Sequence, residues 1–210
     1  MKFRIIYMGT PEFAVEPLRT LLDAGYDVAA VVTAPDKPSG RGCRMNESAV
    51  KKFALERGLP VLQPDKLRNE DFLAQLREIN ADLFVVVAFR MLPSVVWKMP
   101  RLGTFNLHAS LLPQYRGAAP IQRAVMNGDA ITGVTIMRME AGLDSGPMLL
   151  QQAVTIEPED TAGTLFDELA EHGARLMVGA LGMISEGRVA LVPQNAEKAT
   201  HADKIAPAEE

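Results

Sequence analysis

The chain has 210 residues, with 22 Lys and Arg against 26 Asp and Glu, and a formal net charge of −4 at pH 7. That balance gives no global attraction to nucleic acid, so any RNA contact has to come from a local basic patch. Cys43 is the single cysteine, which excludes a disulfide framework and a cysteine-rich zinc site, and no apolar run approaches the roughly 18 residues of a membrane span.

With 48% hydrophobic and 23% charged residues, the chain is long enough for a sizeable core, as one large domain or two small ones. A reducing cytoplasm suits this composition. The opening segment is charged and then apolar, but the apolar run is too short for a secretion signal and reads as a first strand.

In chain order, Phe3 to Met8 has the pattern of a buried strand, closed by Gly9 and Thr10. Pro11 suits the first turn of a helix, with Thr10 as its cap. Phe13, Val15, Leu18, Leu21 and Leu22 give that helix an apolar face, and Gly25 ends it. Asp27 to Thr33 is a second buried strand. Strand, helix, strand predicts an α/β fold: a Rossmann-like, open, mostly parallel twisted sheet with helices on both faces. The turn Met8-Gly9-Thr10-Pro11 lacks GxGxxG, which argues against a dinucleotide site.

Residues 34–45 (APDKPSGRGCRM) form a Pro/Gly/basic loop. It is either a solvated connection or an arm carrying Lys37, Arg41 and Arg44 toward a phosphate backbone. A helix follows over 48–58, a short strand at 60–62, and a helix over 69–79 capped by Asn69. Ala81 to Ala88 is the most hydrophobic run and predicts a central strand, leaving through Phe89, Arg90, Met91 and Leu92. Ligands of open α/β sheets collect at such strand ends.

The stretch 103–144 carries the chemistry. Thr104-Phe105-Asn106-Leu107-His108 alternates polar and apolar, so on a strand Asn106 and His108 leave one face while Phe105 and Leu107 enter a core. A non-titrating amide donor beside an imidazole is suited to polarising a carbonyl, although such a pair is also common as a structural hydrogen bond. Beyond it, a helix is expected from Pro120, strands over 132–139 and 148–156, and a long amphipathic helix over 161–186 capped by Asp160 or Thr161. His172 and His201 read as surface residues, and three scattered histidines give no metal-ligand spacing, so no metal is expected.

The string NLHASLLPQYRG (106–117) and the later GLDSG (142–146) resemble the folate-dependent formyltransferases. AAPIQ (118–122) and GVTIM (133–137) are similar to the branch that acts on methionyl-tRNA. The resemblance runs from Met8 to the last residues. It implies 10-formyltetrahydrofolate as formyl donor and catalysis by Asn106, His108 and Asp144. It also implies a folate pocket lined by Ser110, Leu111, Leu112 and Pro113, with a cis bond before Pro113, and by the loop Phe89, Arg90, Met91 and Leu92. That second loop is one residue shorter than the commoner form and lacks its glycine. Arg116 can meet an anionic substrate or cap the loop. Lys37, Arg41 and Arg44 correspond to an arm that meets the acceptor end of initiator methionyl-tRNA, with Arg41 matching its key arginine.

By the same resemblance, residues 1–205 are the catalytic domain of a cytoplasmic monomer and 206–210 start a linker. The C-terminal β-barrel that grips tRNA in full-length members does not fall within this chain. Other acceptors stay open at this point: a nucleotide-linked amino sugar, glycinamide ribonucleotide, or water in a hydrolase. A non-catalytic folate-binding module is a further alternative.

Overall fold

The computed structural model describes residues 3–39 and 44–206, with the backbone alone for Ser39 and Arg44; Arg41 and Cys43 lie outside these residues. The chain forms two compact units, Met1–Phe105 and Asn106–Glu210.

In the first unit, β1 (Arg4–Gly9) buries Ile5, Ile6, Tyr7 and Met8 completely. The Tyr7 phenol cannot reach water and donates to the carbonyl of Ala14 at 2.6 Å, and burial raises its pKa well above the ordinary value. A 3₁₀ turn (Glu12–Ala14) precedes α1 (Val15–Asp23). The expected cap is corrected here. Pro11 is extended and precedes the turn, and the Thr10 hydroxyl instead accepts from the amide of Ala34 at 3.3 Å.

β2 (Asp27–Val32) follows, and then the basic segment departs from expectation. In place of a wholly irregular loop, β3 (Lys37–Ser39) and β4 (Arg44–Asn46) pair antiparallel. At the base of this arm, Asp36 binds Lys51 Nζ at 2.6 Å and accepts from Gln63 Nε2 at 2.7 Å, while Glu47 takes the same ammonium at 3.0 Å. Lys51 lies on α2 (Ala49–Glu56), whose cap is Ser48. After β5 (Val61–Leu62) comes α3 (Glu70–Ile79), capped by the Asn69 side chain on the amides of Asp71 and Phe72. β6 (Leu83–Val87) is wholly buried, as its composition predicts, and α4 (Ser94–Trp97) is a short turn that the sequence pattern did not reveal.

β7 (Thr104–His108) leads to the second unit, with β8 (Arg116–Gly117), α5 (Pro120–Met126), β9 (Ile131–Arg138), β10 (Met148–Thr155), α6 (Ala162–Ser185) and β11 (His201–Ala202). Pro120 opens α5, where a missing N–H costs nothing. Thr161 caps α6 reciprocally with Thr164. The seven-stranded sheet has the order β10-β9-β7-β6-β1-β2-β5. β1 is parallel to both β2 and β6, β2 is parallel to β5, and the β9–β10 pair is antiparallel. This is the open, mostly parallel α/β sheet the strand–helix alternation predicts. Among the described residues no helix is long and apolar enough to cross a membrane.

Candidate active site

The second unit brings the expected trio onto one framework. Leu107 is buried, and a Cβ placed on Gly173 of α6 would come within 2.6 Å of its Cδ2. A side chain at 173 would therefore collide with Leu107, and glycine lets the helix lie close to β7 despite its low helix propensity. Because strand side chains alternate, seating Leu107 on α6 sends Asn106 and His108 to the opposite face. Asn106 is half-buried and its amide makes no hydrogen bond to any described residue.

His108 is buried, at 6% exposure, and its two nitrogens face different partners. Nε2 lies 2.8 Å from the carbonyl oxygen of Tyr115. A carbonyl only accepts, so Nε2 carries a hydrogen and proton exchange falls to Nδ1. Nδ1 faces Asp144 Oδ2 at 3.7 Å, too long for a hydrogen bond and an ion pair only when the ring is protonated. The same carboxylate oxygen accepts from the amide of Gly117 at 2.9 Å.

Two backbone conformations make this possible. Asp144 has φ 48° and Tyr115 φ 57°, both in the left-handed region that non-glycine residues seldom occupy. Tyr115 is held at every polar atom. Its amide donates to the Thr200 hydroxyl at 2.8 Å, its carbonyl meets His108, and its hydroxyl donates to Asp129 at 2.5 Å and accepts from Asn127 at 2.8 Å. Burial and the Asp129 carboxylate raise the Tyr115 pKa, so the hydroxyl stays a donor. Gly117, at φ 119°, meets the carbonyl of Ala202 so closely that a Cβ would sit 2.8 Å from that oxygen.

The loop between β7 and β8 is braced from within. The Leu112–Pro113 bond is cis, as the resemblance implied. The Thr135 hydroxyl donates to Ser110 O at 2.7 Å and accepts from Leu112 N at 3.1 Å and Gln151 Nε2 at 2.9 Å, and the Ser110 hydroxyl donates to Gln114 O at 2.6 Å. Ser110 and Leu112 are therefore buried structural members, whereas Leu111 and Pro113 are partly exposed. Gln151 and Gln194 carry no local sequence signal of this bracing, and the string GVTIM does not by itself disclose that of Thr135. A polar residue at a fully buried strand position, as at Thr135, was the one available signal.

Residues 1–181 match the Formyl transferase family. The chain belongs to that family. A curated relative from Bacteroides fragilis, a methionyl-tRNA formyltransferase, is 52% identical over 205 residues, which is 98% of this chain and 63% of that protein. This formyl transferase chain thus spans less than two thirds of its relative's length. A phosphoribosylglycinamide formyltransferase structure from Anaplasma phagocytophilum superposes with TM-score 0.76 at 20% identity, covering 98% of this chain and all of that one. A sugar 3N-formyl transferase solved in the presence of dTDP and 5-N-formyl-THF gives TM-score 0.71 at 20% identity, covering 97% of this chain and 70% of that one. These two likenesses establish the fold.

The remaining expected residues are placed as follows. In this formyl transferase, Phe89, Arg90, Met91 and Leu92 belong to the first unit, just after β6. Ala88 there has φ 47°, Leu92 is buried, Met91 is 69% exposed, and the Arg90 guanidinium is committed to the carbonyls of Pro64 and Asp65. Lys37 is exposed on β3. Arg116 is engaged by Gln194 and is a loop brace. His172 is half-buried, with its Nδ1 2.7 Å from Gln152 Nε2, and His201 is exposed. Among the described residues no three His, Cys, Asp or Glu side chains come together as metal ligands.

Proposed function

We propose that this formyl transferase moves the formyl group of 10-formyltetrahydrofolate to the amino group of methionine on initiator tRNA, in the cytoplasm and as a monomer. The carrying observation is the shared face of β7. A half-buried amide without a partner among the described residues stands two positions from an imidazole whose proton-exchanging nitrogen faces a carboxylate. Those residues fit a formyl donor. When bound, the folate supplies an activated formyl carbon on N10.

The protein's own groups do the rest. As the amine attacks, negative charge builds on the formyl oxygen, and the Asn106 Nδ2–H donates to it without titrating. His108 keeps its Nε2 hydrogen on Tyr115 throughout, so it holds or passes a proton at Nδ1. Asp144 faces that nitrogen and balances the charge the ring gains. Its Oδ2 stays oriented by the Gly117 amide. No side-chain nucleophile is needed, because the amine attacks the formyl carbon directly. The bond from that carbon to N10 breaks as the new one forms, and the proton the amine loses passes by way of His108 Nδ1 to N10 of the departing tetrahydrofolate.

The choice of acceptor rests on different support: the 52% identity to a relative bearing the methionyl-tRNA name, and the basic arm with Lys37, Arg41 and Arg44. Phosphate neutralisation by such cations positions a tRNA end without reading its sequence. In the second unit, Leu111 and Pro113 are proposed to line the folate pocket, with the buried Ser110 and Leu112 bracing the loop that carries them. Phe89, Arg90, Met91 and Leu92 of the first unit are proposed separately as folate contacts.

The test is acceptor choice. The protein is incubated with 10-formyltetrahydrofolate and methionyl initiator tRNA, a nucleotide-linked amino sugar, glycinamide ribonucleotide, or water alone. Formylmethionyl-tRNA as the main product is expected. Formylation of the sugar or the ribonucleotide, or release of formate alone, would reassign the acceptor.

A further inference from the structure

The segment after α6 returns to the active-site framework. Met148 and Val192 exchange two backbone hydrogen bonds of 2.8 Å, and two residues later Gln194 reaches the loop carrying Asp144. Its Nε2 donates to the carbonyls of Asp144 at 2.8 Å and Gly146 at 2.7 Å. Its Oε1 accepts from Arg116 Nε at 3.1 Å and Nη2 at 2.8 Å. A primary amide has two N–H donors and two acceptor lone pairs, and all four are used. The flanking carbonyls and guanidinium also settle which end is nitrogen.

The two segments joined in this way are those that build the His108–Asp144 pair. On one side is the backbone of Asp144 itself, in its left-handed conformation. On the other is Arg116, whose neighbours are Tyr115, holding His108 Nε2, and Gly117, holding Asp144 Oδ2. No other residue type meets this set. Glutamate would set a carboxylate against two carbonyl oxygens, and asparagine is one methylene short.

We propose that Gln194 is a positioning residue that sets the His108–Asp144 separation by tying the Asp144–Gly146 carbonyls to Arg116. Its effect on turnover rests on the proposed formyl transfer; its effect on geometry does not. Misplacing a reacting group by about 1 Å can cost on the order of 10²-fold in rate, so a small loosening should register in kcat.

The test uses the full chain with Gln194→Met, which keeps the volume but has no donor or acceptor of comparable strength, and Gln194→Glu, which keeps the Arg116 acceptor and loses both donors. Two quantities are read: the amide proton shift of Gly117, which reports its bond to Asp144 and needs no substrate, and kcat against KM for formyl transfer. In both variants the Gly117 proton is expected to move upfield. In both, kcat is expected to fall about tenfold or more with KM for the formyl donor within about twofold. In an Asp144→Asn background, adding Gln194→Met should change kcat little.

A Gly117 signal unmoved in both variants, with kcat within twofold of the parent, would overturn the proposal. So would a Gln194→Glu variant with full kcat, since the carbonyl grip would then be dispensable. If the Gly117 signal moves but the parent chain transfers formyl to no acceptor, the proposed function fails and the positioning role stands.

Discussion

The carbonyl of Tyr115 lies 2.8 Å from Nε2 of His108, while Asp144 faces the other ring nitrogen at 3.7 Å. The carbonyl thereby settles which nitrogen keeps its hydrogen and leaves Nδ1 for proton exchange. Nitrogen-15 NMR of the neutral imidazole should show the Nε2–H tautomer. A predominant Nδ1–H tautomer would mean that Tyr115 does not set the ring.

Asn106 should matter to the transition state more than to binding. Removing one donor to a developing oxyanion costs about 3 kcal/mol, or on the order of 10²-fold in kcat. Asn106→Ala is therefore expected to lower kcat by that factor with KM for the formyl donor little changed. Steady-state kinetics check it, and a variant raised in KM alone would move Asn106 from catalysis to binding.

Gly173→Ala probes how β7 is held. The added methyl would enter within 2.6 Å of Leu107 Cδ2. Overpacking of this kind costs about 1–3 kcal/mol, partly offset by the roughly 1 kcal/mol that alanine gains in a helix. A net destabilisation is expected, lowering Tm by about 2–4 °C for each kcal/mol in a chain of this size. Unchanged or raised Tm in calorimetry would show that Leu107 shifts aside freely.

The arm at 37–46 should respond to acid through Asp36. The hydrogen bond from Lys51 foremost, and then that from Gln63, lowers the Asp36 pKa, and the bond to Asp36 raises that of Lys51. A carboxylate depressed in the folded state stabilises above its unfolded pKa of about 3.9, and that contribution is lost as pH falls through the folded value. The protection factor against hydrogen exchange at Lys37, which is corrected for the intrinsic pH dependence of exchange, is expected to hold from neutrality to about pH 4 and to fall below. Asp36→Asn should remove this acid dependence, and an equal acid response in that variant would place its cause elsewhere.

Much of this fold is legible in the sequence. The burial of β1, β2 and β6 follows from unbroken apolar runs, and the common face of Asn106 and His108 follows from a period of two. Asn69 capped where a capping residue belongs, and so did Thr161. What stayed hidden depends on distant contacts. Thr10 lost its capping role to the amide of Ala34, 24 positions away, and Gln194 meets Asp144 across 50 residues. The pairing of β8 with β11 joins two-residue segments 85 positions apart, too short to carry any periodic signal. The short strands of the basic arm were masked by proline and glycine, which read locally as loop.

The central claim is that His108 and Asp144 act as one proton-handling unit, and a double-mutant cycle on single-turnover formyl transfer tests it most directly. Residues that act together lose their effect together. With His108→Ala, Asp144→Ala and the double variant all folded, the double variant is expected to be no slower than the slower single variant. Losses that multiply across the two substitutions would contradict the account, because each side chain would then be working alone.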